Sequence, residues 1–278
     1  MLHRALVVAY VAAALVAFAF LLLPIVAIFA RTSPAHLAAQ LSNPVVTDAL
    51  VDTLKTSLVA QLFIVLFGTP AAFLLASRRF PAHALAVTLV ELPLVLPPAV
   101  AGIGLLAAFG RFGLLGSSLR ALGVSLPFTQ TAVTMAVAYV ASPLYIRQAI
   151  AAFEATDPNL AAASRTLGAG PFRTFFGIVL PLARGGLIAG LALSFARGLG
   201  EFGATIMFAG SLQKVTQTLP LAIYSQFNLP EGFDAALAMG GALVLFSIVL
   251  LAGLHIGLSW QRSDSNRSVS LFGLSTSS

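Results

Sequence analysis

With 278 residues, 59% hydrophobic and 9% charged, and a mean hydropathy of +0.98, the chain lacks the polar material to coat a globule in water; roughly 25% charged residues is usual there. The absence of cysteine excludes a disulfide framework, a thiolate nucleophile and a cysteine-rich zinc site. The net charge of +6 comes from arginines beside long apolar runs, a pattern that orients a membrane chain, so nucleic acid is not an expected partner.

A crossing needs about 20 mainly apolar residues to traverse about 30 Å of hydrocarbon. Six stretches meet this, at about 6–30, 54–76, 84–109, 129–150, 186–208 and 238–260. The first is longer than the roughly 7–15 residues of a secretory signal core and no small-x-small site follows it, so it reads as an uncleaved span. A cytoplasmic N-terminus puts Arg4, Arg78, Arg79, Arg147, Arg165, Arg173, Arg184, Arg262 and Arg267 inside. Arg31, Lys55, Arg111, Arg120 and Lys214 then lie outside, nine against five, with Arg197 within a span. Both termini are therefore expected in the cytoplasm. The chain divides into an N-terminal span with its outer loop (1–48), a membrane domain (49–260) and a serine-rich cytoplasmic tail (261–278) expected to be disordered.

Along the third span, Pro93, Pro97 and Pro98 break the helix, which is tolerated in a membrane only where neighbours or water satisfy the freed carbonyls. Glu91 sits near that span's cytoplasmic end as an anchor, while Pro24 and Pro143 read as ordinary kinks.

The loop at 157–181 carries the strongest local signal. Asp157 is a good N-cap, Pro158 suits the first helical position, and Gly168 can take the left-handed conformation that ends a helix. Leu160, Ala161, Ala162, Ala163 and Leu167 between them form an apolar stripe. Gly170-Pro171 then opens a second segment, Phe172 to Leu180, which Pro181 is expected to close before the fifth span. So short a helix is marginal alone in water, and its apolar residues call for a covering surface. A partner groove or the bilayer surface could supply one.

Gly168, nine residues, Ile178, one residue and Leu180-Pro181 resemble the cytoplasmic loop of permeases of bacterial binding-protein-dependent ABC importers. In that family the loop begins Glu-Ala-Ala and forms a coupling helix that docks on the ATPase; here Ala162-Ala163-Ser164 stands in that place, without the Glu. Leu92-Pro93-Leu94-Val95-Leu96-Pro97-Pro98 is similar to a segment of molybdate and sulfate permeases. The run Ala196 to Gly210 (ARGLGEFGATIMFAG) is similar to the fifth span of molybdate permeases. The resemblance covers about 50–255 and implies an all-α membrane protein with about six spans, the type I ABC importer permease fold. It implies an inner-membrane homodimer that translocates molybdate, with two cytoplasmic ABC ATPase subunits, an extracytoplasmic oxyanion-binding protein and surrounding lipid. The implied docking residues are Leu160, Ala161, Ala162, Ala163, Ser164, Arg165, Thr166, Leu167, Gly168, Ala169, Gly170 and Phe172. The implied path and gate residues are Arg197, Glu201, Phe202, Gly203, Thr205, Pro97 and Pro98. Sulfate, thiosulfate or tungstate would be carried by the same machine.

Arg197 and Glu201 lie within the fifth span, where a central arginine costs about 2.5–3.5 kcal/mol and should face a bundle interior or wet cavity. At i and i+4 they share a helix face and can pair, either as a packing pair or beside a gate. Gly198, Gly200 and Gly203 around them permit close contact or local unwinding. No Gly-x-x-x-x-Gly-Lys-Ser/Thr loop occurs, so the chain itself is expected to hold no cofactor and to leave Mg-ATP to the ATPase partner. His3, His36, His83 and His255 have no metal-ligand spacing, and no hydrolase motif is present, so the chain is not expected to be an enzyme. A secondary transporter would have no use for the 157–181 loop.

Overall fold

The computed structural model describes residues 2–249, 252 and 253. The end of the sixth predicted span, with His255, and the tail 261–278, with Arg262 and Arg267, lie outside the described residues. Every regular element among the described residues is helical. In chain order these are α1 Leu2–Arg31, α2 Pro34–Leu41, α3 Pro44–Ser77, α4 His83–Val95, α5 Pro98–Phe109 and α6 Gly116–Ala121. There follow α7 Gln130–Glu154, α8 Pro158–Thr166, α9 Pro171–Leu199, α10 Gly203–Ala209, α11 Leu219–Phe227 and α12 Phe233–Val249. Four of them (α1, α3, α7 and α9) are long and apolar enough to cross a membrane. The pair α4–α5 supplies a broken fifth, and α12 stands where the sixth was expected.

Two expected spans differ in detail. The third is two helices whose axes diverge by 114°. The break falls at Leu96-Pro97, while Pro93 is accommodated inside α4. Pro98 occupies the first turn of α5, where its missing N–H is harmless. The fifth span begins not after Pro181 but at Pro171, and it stops at Leu199 instead of running to Phe208. Pro181 fails to end the helix because Phe175–Val179 winds as a π turn. Leu180 N–H bonds back to the Phe175 carbonyl, five residues earlier, and this shifted register absorbs the absent proline donor. Pro24, Pro70 and Pro143 lie within α1, α3 and α7.

α3 and α7 run parallel and α9 runs antiparallel to α7, packed through small side chains. A Cβ at Gly68 would lie 3.1 Å from Tyr145, one at Gly190 would lie 2.9 Å from Gln148, and one at Gly198 would lie 2.9 Å from Val137. Lipid tails are as apolar as leucine, so helix association inside a membrane depends on such close approach, and small residues provide it. One buried cluster joins Ala60, Ala101, Leu105, Val133, Val137 and Phe208, from α3, α5, α7 and α10. A second, towards the α8 end, joins Ile64, Tyr145, Phe153, Val179 and Leu187, with Phe73, Ala161 and Phe175 packed on it. A third ties Val46 and Ala49 of α3 to Leu219, Ala222 and Met239 of α11 and α12. Exposed ion pairs Arg147–Glu91 (3.1 Å) and Arg79–Glu154 (3.6 Å) brace the α8 end, and the first gives Glu91 its anchoring contact. α1 stands apart, with none of its apolar window buried. Near its end Ile28 and Phe29 approach Gly241 of α12.

Candidate functional site

The docking loop is a built structure. The Asp157 carboxylate accepts from Asn159 N–H at 2.9 Å and so caps α8, whose first turn holds Pro158. At the other end Gly168 has φ +86°; its N–H reaches the Arg165 carbonyl at 3.0 Å, and Ala169 N–H reaches the Ser164 carbonyl at 3.0 Å. This paired closure needs a left-handed residue, which glycine supplies without strain. Leu160, Ala162, Ala163, Arg165, Thr166, Leu167, Gly168, Gly170 and Phe172 are exposed, Leu167 at 87% and Phe172 at 82%. Ala161 and Ala169 are half-buried. Ser164 faces the bundle instead of the outside: it is buried, and its hydroxyl lies 2.7 Å from that of Thr174, also buried. α8 therefore presents one small, partly apolar face outward and fixes the other to the body. Large apolar side chains this exposed at the end of a membrane bundle mark an interaction surface.

The second candidate lies where α9 breaks. Gly200 closes α9, with open space where its Cβ would be, and Phe202 precedes α10. Arg197 and Glu201 are therefore not on one continuous helix, yet Arg197 Nη1 lies 2.8 Å from Glu201 Oε2. The other carboxylate oxygen accepts Ala204 N–H at 2.7 Å, so Glu201 also holds the first turn of α10. The Glu201 side chain is 1% exposed and that of Arg197 is 33% exposed. The acid is committed to the fold, whereas the arginine side chain, whose guanidinium carries five donors in all, is left partly accessible. Opposite the break, a Cβ at Gly203 would lie 2.7 Å from Pro98 Cβ. One at Gly102 would lie 2.5 Å from the Ala204 carbonyl oxygen. The two broken spans thus meet at their interruptions, with Pro98, Gly203, Glu201 and Arg197 gathered there. Pro97 is exposed at the bend, Phe202 stacks obliquely on Tyr224 of α11 at 4.9 Å, and Thr205 is fully buried. A half-buried arginine partly neutralised by a buried carboxylate can attract an oxyanion without holding it firmly.

Several polar links of this region were not foreseen. Ser194 donates to Gln61 at 2.8 Å, tying α9 to α3 one turn before Arg197. Gln130 donates to Asp52 at 3.0 Å, and Leu219 N–H donates to Thr53 at 2.7 Å, which seats α11 on α3. Thr218-Leu219-Pro220, with proline in a first turn, was the available sign that a helix begins inside the expected outer loop. The Ser194–Gln61 and Gln130–Asp52 pairs gave no sign, since each partner is an ordinary helix residue. Among the described residues no group of three or more His, Asp or Glu could hold a metal ion.

Residues 64–259 match the family described as binding-protein-dependent transport system inner membrane component. The chain is 40% identical over 234 residues to the molybdenum transport system permease protein ModB of Mycobacterium tuberculosis, covering 84% of this chain and 88% of that protein. It is 34% identical over 241 residues to the sulfate transport system permease protein CysT of Escherichia coli, covering 84% and 86%. Among solved structures it resembles a chain of a bacterial alginate ABC transporter in complex with a periplasmic protein. The TM-score is 0.75 at 15% identity, with 91% of this chain and 93% of that one covered.

Proposed function

Because the chain belongs to the family of binding-protein-dependent transport system inner membrane components, we infer that it is the permease subunit of an ATP-driven importer carrying molybdate across the inner membrane by alternating access. The fold is that of type I ABC importer permeases. Family membership sets aside the secondary-transporter alternative. The observation that carries the mechanism is the capped, outward-facing α8 projecting from one end of the bundle. The cargo follows the 40% identity to a molybdenum permease across most of both chains. Sulfate or thiosulfate is the second reading, favoured by the 34% identity to CysT, and tungstate shares molybdate's shape and charge.

In this reading two copies enclose a path within lipid, with 49–260 as the transporting body and 1–48 as a peripheral addition. The N-terminus is cytoplasmic, and one ATPase subunit docks beneath each α8 on Leu160, Ala162, Ala163, Arg165, Thr166, Leu167 and Phe172. Ser164, Ala161 and Ala169 hold the loop from behind. The ATPases bind Mg-ATP, and this chain supplies no catalytic group. Their closure draws the two docking loops together and turns the path from inward-open to outward-open, where a binding protein delivers the anion. Arg197 offers a passing contact at the meeting of the broken spans, and Glu201 keeps that contact weak. Specificity is then set mainly by the binding protein.

The test is uptake of labelled molybdate by the assembled complex in cells without their own oxyanion importers. ATP-dependent, saturable uptake that resists excess sulfate is expected. Suppression by modest sulfate moves the cargo to sulfate, and no uptake of either anion removes the oxyanion reading.

A further inference from the structure

We propose that the buried hydroxyl pair Ser164–Thr174 is a clasp that makes the docking loop and α9 move as one body, so that both residues are positioning residues for coupled transport. The inference rests on the importer reading. Its observation is independent of the exposed docking face: two buried hydroxyls 2.7 Å apart, joined across the Gly168–Gly170 turn.

Ser164 is the junction of that turn. Its carbonyl accepts Ala169 N–H in the helix closure, while its side chain reaches forward to Thr174 in the first turn of α9. Thr174 immediately precedes the π turn, and Phe175 at its start packs on Phe73 of α3 (4.8 Å) and on Phe153 of α7 (6.2 Å). Ala161, one helical turn before Ser164, packs on the same cluster. A push on α8 thus has a short, buried route into α9, the helix whose last turn carries Arg197. Without the clasp the loop would be joined to α9 only by the packing of Ala161 and a turn of three residues, two of them glycine, and glycine turns bend readily. The hydroxyl pair stiffens a joint that the sequence otherwise makes soft.

The experiment reconstitutes the permease with its ATPase and binding protein in proteoliposomes and measures ATP hydrolysed per molybdate imported. Ser164→Ala, Thr174→Val and the double variant are compared with wild type and Thr174→Ser. The clasp predicts that each single variant and the double variant still bind and stimulate the ATPase. Their ATP-to-molybdate ratio should rise about five-fold or more, the low end of coupling between sites, while Thr174→Ser stays near wild type. A merely structural pair behaves differently: the single changes strand a buried hydroxyl, and removing both relieves it. Recovery of the ratio in the double variant would therefore overturn the proposal, as would unchanged ratios throughout.

Should those variants fail to assemble, Ser164→Cys with Thr174→Cys in this cysteine-free chain decides the matter. Oxidation should lower the ratio towards wild type and reduction should raise it. Loss of transport on oxidation would show that the contact must open, against the proposal. A wild-type complex that imports no molybdate under ATP would overturn the importer reading and the clasp together, whereas failure of the clasp alone leaves wild-type coupling intact.

Discussion

Arg197 and Glu201 illustrate how a charge is kept inside a membrane bundle. The carboxylate has one oxygen on Arg197 and the other on Ala204 N–H, and its side chain is 1% exposed. Removing one partner of a buried pair costs about 3–5 kcal/mol, because the remaining charge is stranded. Arg197→Ala should therefore lower the unfolding temperature in detergent more than Arg197→Ala with Glu201→Gln. The glutamine retains an acceptor for Ala204 N–H and carries no charge. Equal losses in the two variants would show that the ion pair carries little of the local stability. Gly168 is a sharper case, because its φ of +86° and its N–H bond to Arg165 are both closed to proline. Gly168→Pro is expected to abolish uptake and ATPase binding while the protein remains in the membrane, as read by pull-down and membrane fractionation. Retention of both activities would remove the docking loop from the mechanism.

At the scale of elements, the meeting of α5 with α10 depends on having no side chain at position 102. A Cβ there would lie 2.5 Å from a backbone oxygen and 2.8 Å from Met207 Cβ, so helices must part to admit it. Overpacking of this kind costs about 1–3 kcal/mol. Gly102→Ala should show that loss in thermal unfolding, with reduced uptake, whereas Gly104→Ala, facing open space, should be silent. Most elements were legible from the chain because their signals are local: apolar length for α1, α3 and α7, and Asp157, Pro158 and Gly168 for α8. The limits of α9 were not, because Pro181 is an end signal that the π turn overrides and Gly200 is an end that apolar composition conceals. α11 lay hidden in a loop whose proline marks a start. For the site, the chain offered Arg197 with Glu201 and the docking stripe. It could not show that Ser164 turns inward, since the period of a nine-residue helix leaves its buried face undecided until α9 is placed.

For the whole molecule, the arrangement of passes fixes which loops share a side even before a membrane is drawn. The 110–129 loop and α8 lie at opposite ends of α7. The proposed orientation then makes a direct prediction in a chain with no native cysteine. An impermeant maleimide should label Ser118→Cys in intact cells, and should label Asn159→Cys only after the membrane is opened. The reverse pattern would invert the topology and place α8 away from any cytoplasmic ATPase. The isolation of α1 bears on biogenesis. Among the described residues its apolar window is left unburied, so α1 is expected to serve insertion more than packing of the bundle. It can leave the translocon first and wait in the lipid as an anchor, while α3, α7 and α9 find one another through their small-residue contacts. The order of synthesis and the order of packing are thereby separated. The pairing of α3 with α7 need not compete with the first helix for a place in the core.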